Sequence, residues 1–275
     1  MAVDTRYFAC HLFKEIVMKL HSLFAAAIAS LVLGGLPVIA GPAHPALPSF
    51  IALAVADPNR PADQRAQDAE RKPIEVLQFA DVRRGYKVVD LMPGAGYYTR
   101  LFSKIVGTQG AVYALQPVEM DKAAPKNLPI LRSFAGTPAY PNVTVLVQPI
   151  ANLDMPKGVD MVWTSQNYHD LHDPFMGSPD MARLNKTIYD ALKPGGIYIV
   201  LDHAAAAGTG VSKTNDLHRI DPTAVKAEVT AAGFEFVGES DVLRDASDDH
   251  TLPIFDKSIK GKTDKFILKF RKPLN

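Results

Sequence analysis

From residue 87 onward the chain alternates short apolar runs with amphipathic segments. Val88, Val89 and Leu91 form a run broken by one polar position, Asp90, and Gly94 and Gly96 follow before a helical pattern over 97–106 that Gly107 closes. A strand buried on both faces is apolar throughout, and glycines at its end let a backbone approach a ligand where the next helix starts. The same reasoning predicts strands over 111–115, 143–147, 161–164 and 196–201, with helices over 179–192 and 223–232. Strands alternating with helices through short connections imply a parallel sheet wound by right-handed crossovers, an α/β fold of the doubly wound class. The end departs from this rhythm: apolar runs over 234–238 and 265–270 are joined by a long polar loop without a helix, so these two strands must pair antiparallel.

Upstream of the first strand, 61–72 carries Asp63, Arg65, Asp68, Glu70 and Arg71 among alanines and reads as an exposed helix. A second helix starts at Pro73, with Val76, Leu77 and Phe79 for the core, and the two would form a helical collar over 57–84. Still earlier, Lys19 precedes an almost uncharged run over 20–39 in which Gly34, Gly35 and Pro37 lie near the end. That is the form of a cleaved signal peptide, with a retained membrane anchor as its rival, since the run approaches the ~20 apolar residues that span a bilayer. The expected organisation is a leader over 1–43, its first 17 residues an extension ahead of Met18, then one domain over 44–275 after a proline-rich joint. The expected destination is the periplasm, with no stable membrane insertion once the leader is removed.

Composition narrows the chemistry. The 275-residue chain has a formal charge of +1 and no basic run, so nucleic acid is not an expected partner. Its one cysteine, Cys10, falls in the leader, which removes disulfide, zinc-thiolate and cysteine-nucleophile chemistry from the remainder.

The turn Asp90-x-x-Pro93-Gly94-x-Gly96, the run Leu192-Lys193-Pro194-Gly195-Gly196 before the fifth strand and the antiparallel last strand together resemble the Rossmann-like S-adenosylmethionine-dependent methyltransferases. Arg71-Lys72-Pro73 before the first strand and Asn167-Tyr168-His169-Asp170 after the fourth look like the exported "predicted methyltransferase" group. The resemblance covers 57–273 and implies a seven-stranded sheet of order 3-2-1-4-5-7-6, S-adenosylmethionine as cofactor and methyl transfer to a small-molecule acceptor. It further implies that Asp90, Gly94 and Gly96 surround the amino-acid and ribose part of the cofactor. Gln116 would lie near the ribose hydroxyls, the 150–152 turn with Asn152 beside the adenine, and Gln166 and Asn167 opposite the methionine moiety. Gln116 stands where both this family and the nicotinamide dehydrogenases usually carry an acidic residue, Met92 replaces the usual first glycine, and Glu119 is a second group within reach of the ribose.

Ligands of such sheets bind beyond the carboxyl ends of the strands. Those ends carry Asn167 through Asp173 after the fourth strand and Asp202-His203 after the fifth. Methyl transfer to an O–H or N–H group needs a base, and His169 and His203, oriented by Asp170 or Asp202, are the expected catalytic groups. Asp, His and Asn after a strand also make ordinary turns and caps. Two further readings stay open: a binding protein that keeps the fold without turnover, and a metal-dependent enzyme using a His169/His172/His203 cluster, with Asp173, His218 or His250 as further ligands. Asp221 and Pro222 are expected to cap a helix, His218 and Arg219 could bind an anionic acceptor, and Asp248-Asp249-His250 reads as a solvated loop. Of Tyr97 and Tyr98, one would pack under the cofactor and the other in the core with Trp163.

Overall fold

The computed structural model describes residues 49–274. The expected leader over 1–43, including Cys10, lies outside the described residues. Among the described residues no helix is long and apolar enough to cross a membrane.

Four short helices precede the sheet: α1 (Phe50–Val55), α2 (Ala62–Arg65), α3 (Asp68–Arg71) and α4 (Pro73–Ala80). Then come β1 (Lys87–Leu91), α5 (Tyr97–Val106), β2 (Ala111–Pro117), α6 (Met120–Ala123), α7 (Asn127–Phe134), β3 (Val143–Gln148) and β4 (Val159–Ser165). The remainder is α8 (Met181–Ala191), β5 (Leu192–His203), α9 (Thr214–Leu217), α10 (Pro222–Ala231), β6 (Glu235–Ser240) and β7 (Lys265–Arg271). The seven strands run in the order β3-β2-β1-β4-β5-β7-β6, as the resemblance implies. Strands β1 to β5 pair in parallel, and β7 lies antiparallel between β5 and β6.

Period-two alternation divides the sheet between two cores. Val88, Val112, Met161, Trp163, Ile199 and Ile267 face α1, α4, α5 and α7. Val89, Leu115, Val162, Val200 and Leu268 face α8 and α10. Each fully buried aliphatic side chain contributes about 1.5–3 kcal/mol, so Val88, Val89 and Leu91 outweigh the cost of burying Asp90 among them, a cost that its hydrogen bond from Thr99 reduces. The inner strands of the sheet thereby hold the floor of the site rigidly.

Several elements differ from the sequence reading. Helix α1 occupies a stretch to which the sequence reading assigned no element, and Ser49 caps it by accepting the Ala52 N–H at 3.1 Å. The helix expected over 61–72 is two short helices, α2 and α3, and the left-handed Lys72 (φ 41°) then turns the chain into α4. Helices α6 and α7 fill the β2–β3 connection, where Leu128, Leu131 and Phe134 are buried, a weak pattern of three-residue steps with Pro129 inside it. Between β3 and β4 the expected alternation lapses: a single 3-10 turn, Ile150–Asn152, replaces a crossover helix. Strand β5 begins earlier than expected because Leu192 pairs with Val159 and the Gly195 N–H donates to the Lys272 carbonyl at 2.9 Å.

Candidate active site

Asp90 is the last polar group on β1 and points to the α5 side of the sheet, where its Oδ2 accepts the Thr99 hydroxyl at 2.6 Å. Burial pushes its carboxyl up to about 7, and the Thr99 bond opposes that rise only in part. The chain then turns through Met92 (φ 59°), Gly94 (φ 58°) and Gly96 (φ 80°) into α5. At Gly94 a Cβ would meet nothing nearer than Asn127 Nδ2 at 4.0 Å, so the backbone there borders open space. At Gly96 a Cβ would come within 2.7 Å of the Phe134 ring, so this glycine is needed for packing. Gln64 Nε2 and Arg100 Nη1 both donate to the Ala95 carbonyl, at 3.1 and 2.8 Å, and Asn167 Nδ2 donates to the Met92 carbonyl at 2.5 Å. The glycine turn is therefore fixed from the collar, from α5 and from the β4 end.

Over this turn lies a cavity of about 780 Å³, bordered by Asp90, Gly94, Ser165, Gln166, His169 and His203. That volume is within the range of small-molecule sites, and its place beyond the carboxyl ends of β1, β4 and β5 is where doubly wound sheets bind ligands. Ser165 Oγ and Gln166 Nε2 are buried there without a hydrogen-bond partner. Met92, Gln166 and His218 all hold left-handed backbone conformations at its edge, with φ of 59°, 60° and 52°. Non-glycine residues adopt such angles at a cost, and surrounding structure must maintain them.

The histidines divide into two electrostatic environments. The Asp202 carboxylate accepts the His169 backbone N–H and the His203 backbone N–H, each at 2.8 Å, and lies 2.8 Å from His169 Nδ1. On its other side, His169 Nε2 is 3.3 Å from Asp170 Oδ1. Burial disfavours the imidazolium, yet the Asp202 and Asp170 carboxylates overcome it and raise His169 to about 10. Asp170 is likewise buried, which favours the neutral acid, but hydrogen bonds from His169 and His218 hold it below the usual carboxylate range. His203 behaves oppositely: burial first, then the charges of His169, Lys265, Arg219 and Arg71, push it well below the ordinary histidine value. Its Nδ1 is 2.8 Å from Thr263 Oγ1, and its ring centroid is 6.2 Å from that of His169. Two imidazoles side by side are thus kept in opposite protonation states, the pattern by which sites separate acid and base roles.

Of the residues expected at the site, Asp90, Gly94, Asn167, His169, Asp170 and His203 converge on this cavity. Gly96, Gln116 and Asn152 do not border it. Gly96 packs on Phe134, Asn152 is exposed on its 3-10 turn, and Gln116 is buried with neither amide atom hydrogen-bonded. Glu119 is engaged by the Ile150 N–H at 3.1 Å. The His169/His172/His203 cluster is not assembled: His172 Nε2 lies 3.3 Å from Glu228 Oε2, outside the cavity lining, because the 3-10 turn His169–His172 directs the two rings apart. His250 likewise pairs with Asp264 at 3.0 Å.

The loop between β6 and β7 is more constrained than a solvated loop. Asp248 is buried and holds the fully buried Arg219 guanidinium by bonds of 2.8 and 3.0 Å, so Arg219 is committed to structure rather than to an anionic ligand. Asp221 accepts the Thr223 N–H at 2.8 Å with Pro222 at the first helical position, the expected cap. The anchored loop brings Ile254 and Phe255 to the cavity, where Phe255 stacks edge-on with His218 at 4.9 Å between centroids. Tyr97 and Tyr98 both border the cavity, and Tyr98 also packs against Trp163 at 4.7 Å. Gln64, Gln67 and Arg71 from the collar border it too. Arg71 belongs to the Arg71-Lys72-Pro73 motif, but nothing in the local sequence marks Gln64, Gln67 or the Ile254-Phe255 pair, since only tertiary packing places them there.

Comparison with known proteins agrees with this architecture. No family model matches the chain. A protein-L-isoaspartate O-methyltransferase of Methanosarcina mazei is 30% identical over 127 residues, 46% of this chain and 43% of that protein. The chain thus spans less than half the length of that curated relative. A SAM-dependent methyltransferase from Aquifex aeolicus superposes with a TM-score of 0.52 at 20% identity, covering 77% of this chain and 98% of the other. An S-adenosylmethionine-dependent methyltransferase from Mesorhizobium loti does so with a TM-score of 0.53 at 15% identity, covering 75% and 100%. The fold is that of the Rossmann-like S-adenosylmethionine-dependent methyltransferases.

Proposed function

We propose that this chain binds S-adenosylmethionine in the cavity beyond β1, β4 and β5 and transfers its methyl group to a small-molecule acceptor. The observation that carries the reading is the meeting, on this fold, of the Asp90 to Gly96 turn with a wall of partnerless polar atoms, Ser165 Oγ and Gln166 Nε2. When bound, the cofactor supplies a methyl carbon activated by its sulfonium. Asp90, Gly94 and Asn167 would hold its amino-acid and ribose part, and Gly96 shapes the turn from behind. Gln116 and Asn152, expected at the adenosine end, do not border this cavity and are given no part in holding the cofactor.

His203 is the base in this reading. The role requires the tautomer in which Nδ1–H donates to Thr263 Oγ1, 2.8 Å away, so that Nε2 keeps its lone pair, and the depressed basicity of the ring keeps it unprotonated at neutral pH. His169, held as a cation by Asp202 and Asp170, cannot take a proton and instead orders this end of the cavity with Asp170. Phe175, Ile254 and Phe255 border the same cavity and support a small acceptor over a polypeptide segment, although the curated relative is named for a protein substrate. The apolar run over 20–39 with its terminal glycines and proline supports export to the periplasm by a cleaved leader, ahead of a single domain over 44–275.

Incubation with S-adenosylmethionine and pools of small hydroxyl and amine compounds, followed by quantifying S-adenosylhomocysteine, tests the reading. Turnover should appear with an acceptor and fall by about 10²–10⁴ in His203→Ala, with cofactor affinity retained. Product formation no faster in the unaltered protein than in His203→Ala would overturn the assignment of the base.

A further inference from the structure

On the wall of the cavity just past the end of β4, three side chains bring donor atoms close to one another. His169 Nε2 stands 3.3 Å from Asp170 Oδ1, His218 Nδ1 stands 3.8 Å from the same oxygen, and the three ligand atoms all lie within 4.8 Å of one another. Ligands about 2.0–2.2 Å from a shared metal ion stand roughly 3.0–3.5 Å apart, so an ion would draw the most separated pair of this set together by up to roughly 1–2 Å. All three residues border the cavity, which leaves the remaining coordination positions facing ligand space.

We infer that His169, Asp170 and His218 form a binding site for a divalent first-row transition ion such as zinc or iron, on the wall of the cavity. Two imidazoles and one carboxylate with open positions is a donor set suited to these ions and unsuited to calcium or magnesium, which take oxygen ligands. A second observation points the same way. His169 Nδ1 is engaged by the buried Asp202 carboxylate at 2.8 Å, and the same carboxylate accepts the His169 backbone N–H at 2.8 Å. Metal-ligating histidines are oriented in this manner, one ring nitrogen bonded to a carboxylate and the other presented to the ion, which here displaces the proton that His169 Nε2 otherwise holds toward Asp170. His218 is held in the left-handed region, φ 52°, immediately after α9, and its ring centroid is 5.5 Å from that of His169. The site differs from a His169/His172/His203 grouping, since His172 turns to Glu228 and His203 to Thr263.

The role follows from position and rests on the methyl-transfer reading: an acceptor oxygen bound to the ion would lose its proton more readily, to His203, before its attack on the methyl carbon breaks the C–S bond and releases a neutral thioether. The metal site itself is testable without any cofactor. The full chain, stripped with chelator, is titrated with Zn²⁺ by calorimetry and with Co²⁺ by visible absorption. Stoichiometric uptake is expected, lost in His218→Ala, His218→Gln and Asp170→Asn, weakened about 10–100-fold in Asp202→Asn, and retained in His172→Ala and His250→Ala. His218 is partly exposed and Asp170→Asn is nearly isosteric, and circular dichroism identifies the variants that keep the fold. Absence of stoichiometric uptake, or equal uptake by the unaltered chain and by folded His218→Gln and Asp170→Asn, would overturn the site. Uptake without S-adenosylmethionine binding would leave the metal site standing and defeat methyl transfer alone.

Discussion

His169 and Asp202 are joined twice, the imidazole Nδ1 to Oδ1 and the backbone N–H to Oδ2, each at 2.8 Å. The first residue lies just past β4 and the second near the end of β5, so one carboxylate fastens two strand ends together under the cavity. The same carboxylate accepts the His203 N–H. Removing one partner of a buried pair leaves a charge without compensation and costs about 3–5 kcal/mol. Asp202→Ala should therefore lower the unfolding free energy by that order in denaturant titration. A loss under about 1 kcal/mol would show that the pair is not holding these strand ends.

Asp90 supplies a pH dependence with a definite sign. Its folded carboxyl is raised from 3.8 to about 7, so the stability it contributes is complete below the unfolded value and is lost as pH rises through about 7. Asp90→Asn keeps the shape and removes the ionisation. Between pH 5 and pH 8, roughly the window set by that shift, the variant should gain stability relative to the unaltered chain. Parallel stability curves across this window would refute the buried, half-protonated Asp90.

The two glycines of the turn should respond differently to alanine. Gly96→Ala places a methyl group 2.7 Å from Phe134 at a left-handed φ of 80°, and overpacking of this kind costs typically about 1–3 kcal/mol. Gly94→Ala meets open space at 4.0 Å and bears only the conformational penalty of its φ, but its methyl group borders the cavity. Thermal melting should rank Gly96→Ala as the less stable of the two, while the loss of cofactor affinity per unit of lost stability should be greater for Gly94→Ala. The reverse ranking would misplace the cavity relative to the turn.

Arg219 and Asp248 anchor the loop that carries Ile254 and Phe255, as a fully buried bidentate pair. Asp248→Ala should destabilise by about 3–5 kcal/mol, because Arg219 would stay buried and unpaired. Hydrogen exchange should accelerate first at the Ile254 N–H, which donates to the Leu217 carbonyl at 3.2 Å. Unchanged protection at Ile254 would mean that the loop is held by other contacts.

What the sequence showed and what it hid follow from the range of the interactions. Strands β1, β2, β4 and β5 are legible because burial on both faces requires uninterrupted apolar runs, and the antiparallel β7 because no helix separates it from β6. Asp90 and the histidines after β4 and β5 stand out as polar groups at strand ends, where this class of sheet binds ligands. The opposite protonation states of His169 and His203 are invisible in the sequence, since they depend on Asp202 lying beside one ring and cations near the other. The 3-10 turn that separates His169 from His172 hides in the same way, because a three-residue spacing would suit a helix face but the chain there is not α-helical. His218 comes to His169, 49 positions earlier in the sequence, only when the Arg219–Asp248 pair and the α10 cap fix their neighbouring backbone.

Calorimetric titration of the described domain with S-adenosylmethionine and S-adenosylhomocysteine tests the central claim most directly. Binding in the micromolar range, about −8 kcal/mol, and its weakening in Asp90→Ala are the predicted results. A properly folded protein that binds neither ligand at about millimolar concentration, weaker than about −4 kcal/mol, would contradict the account.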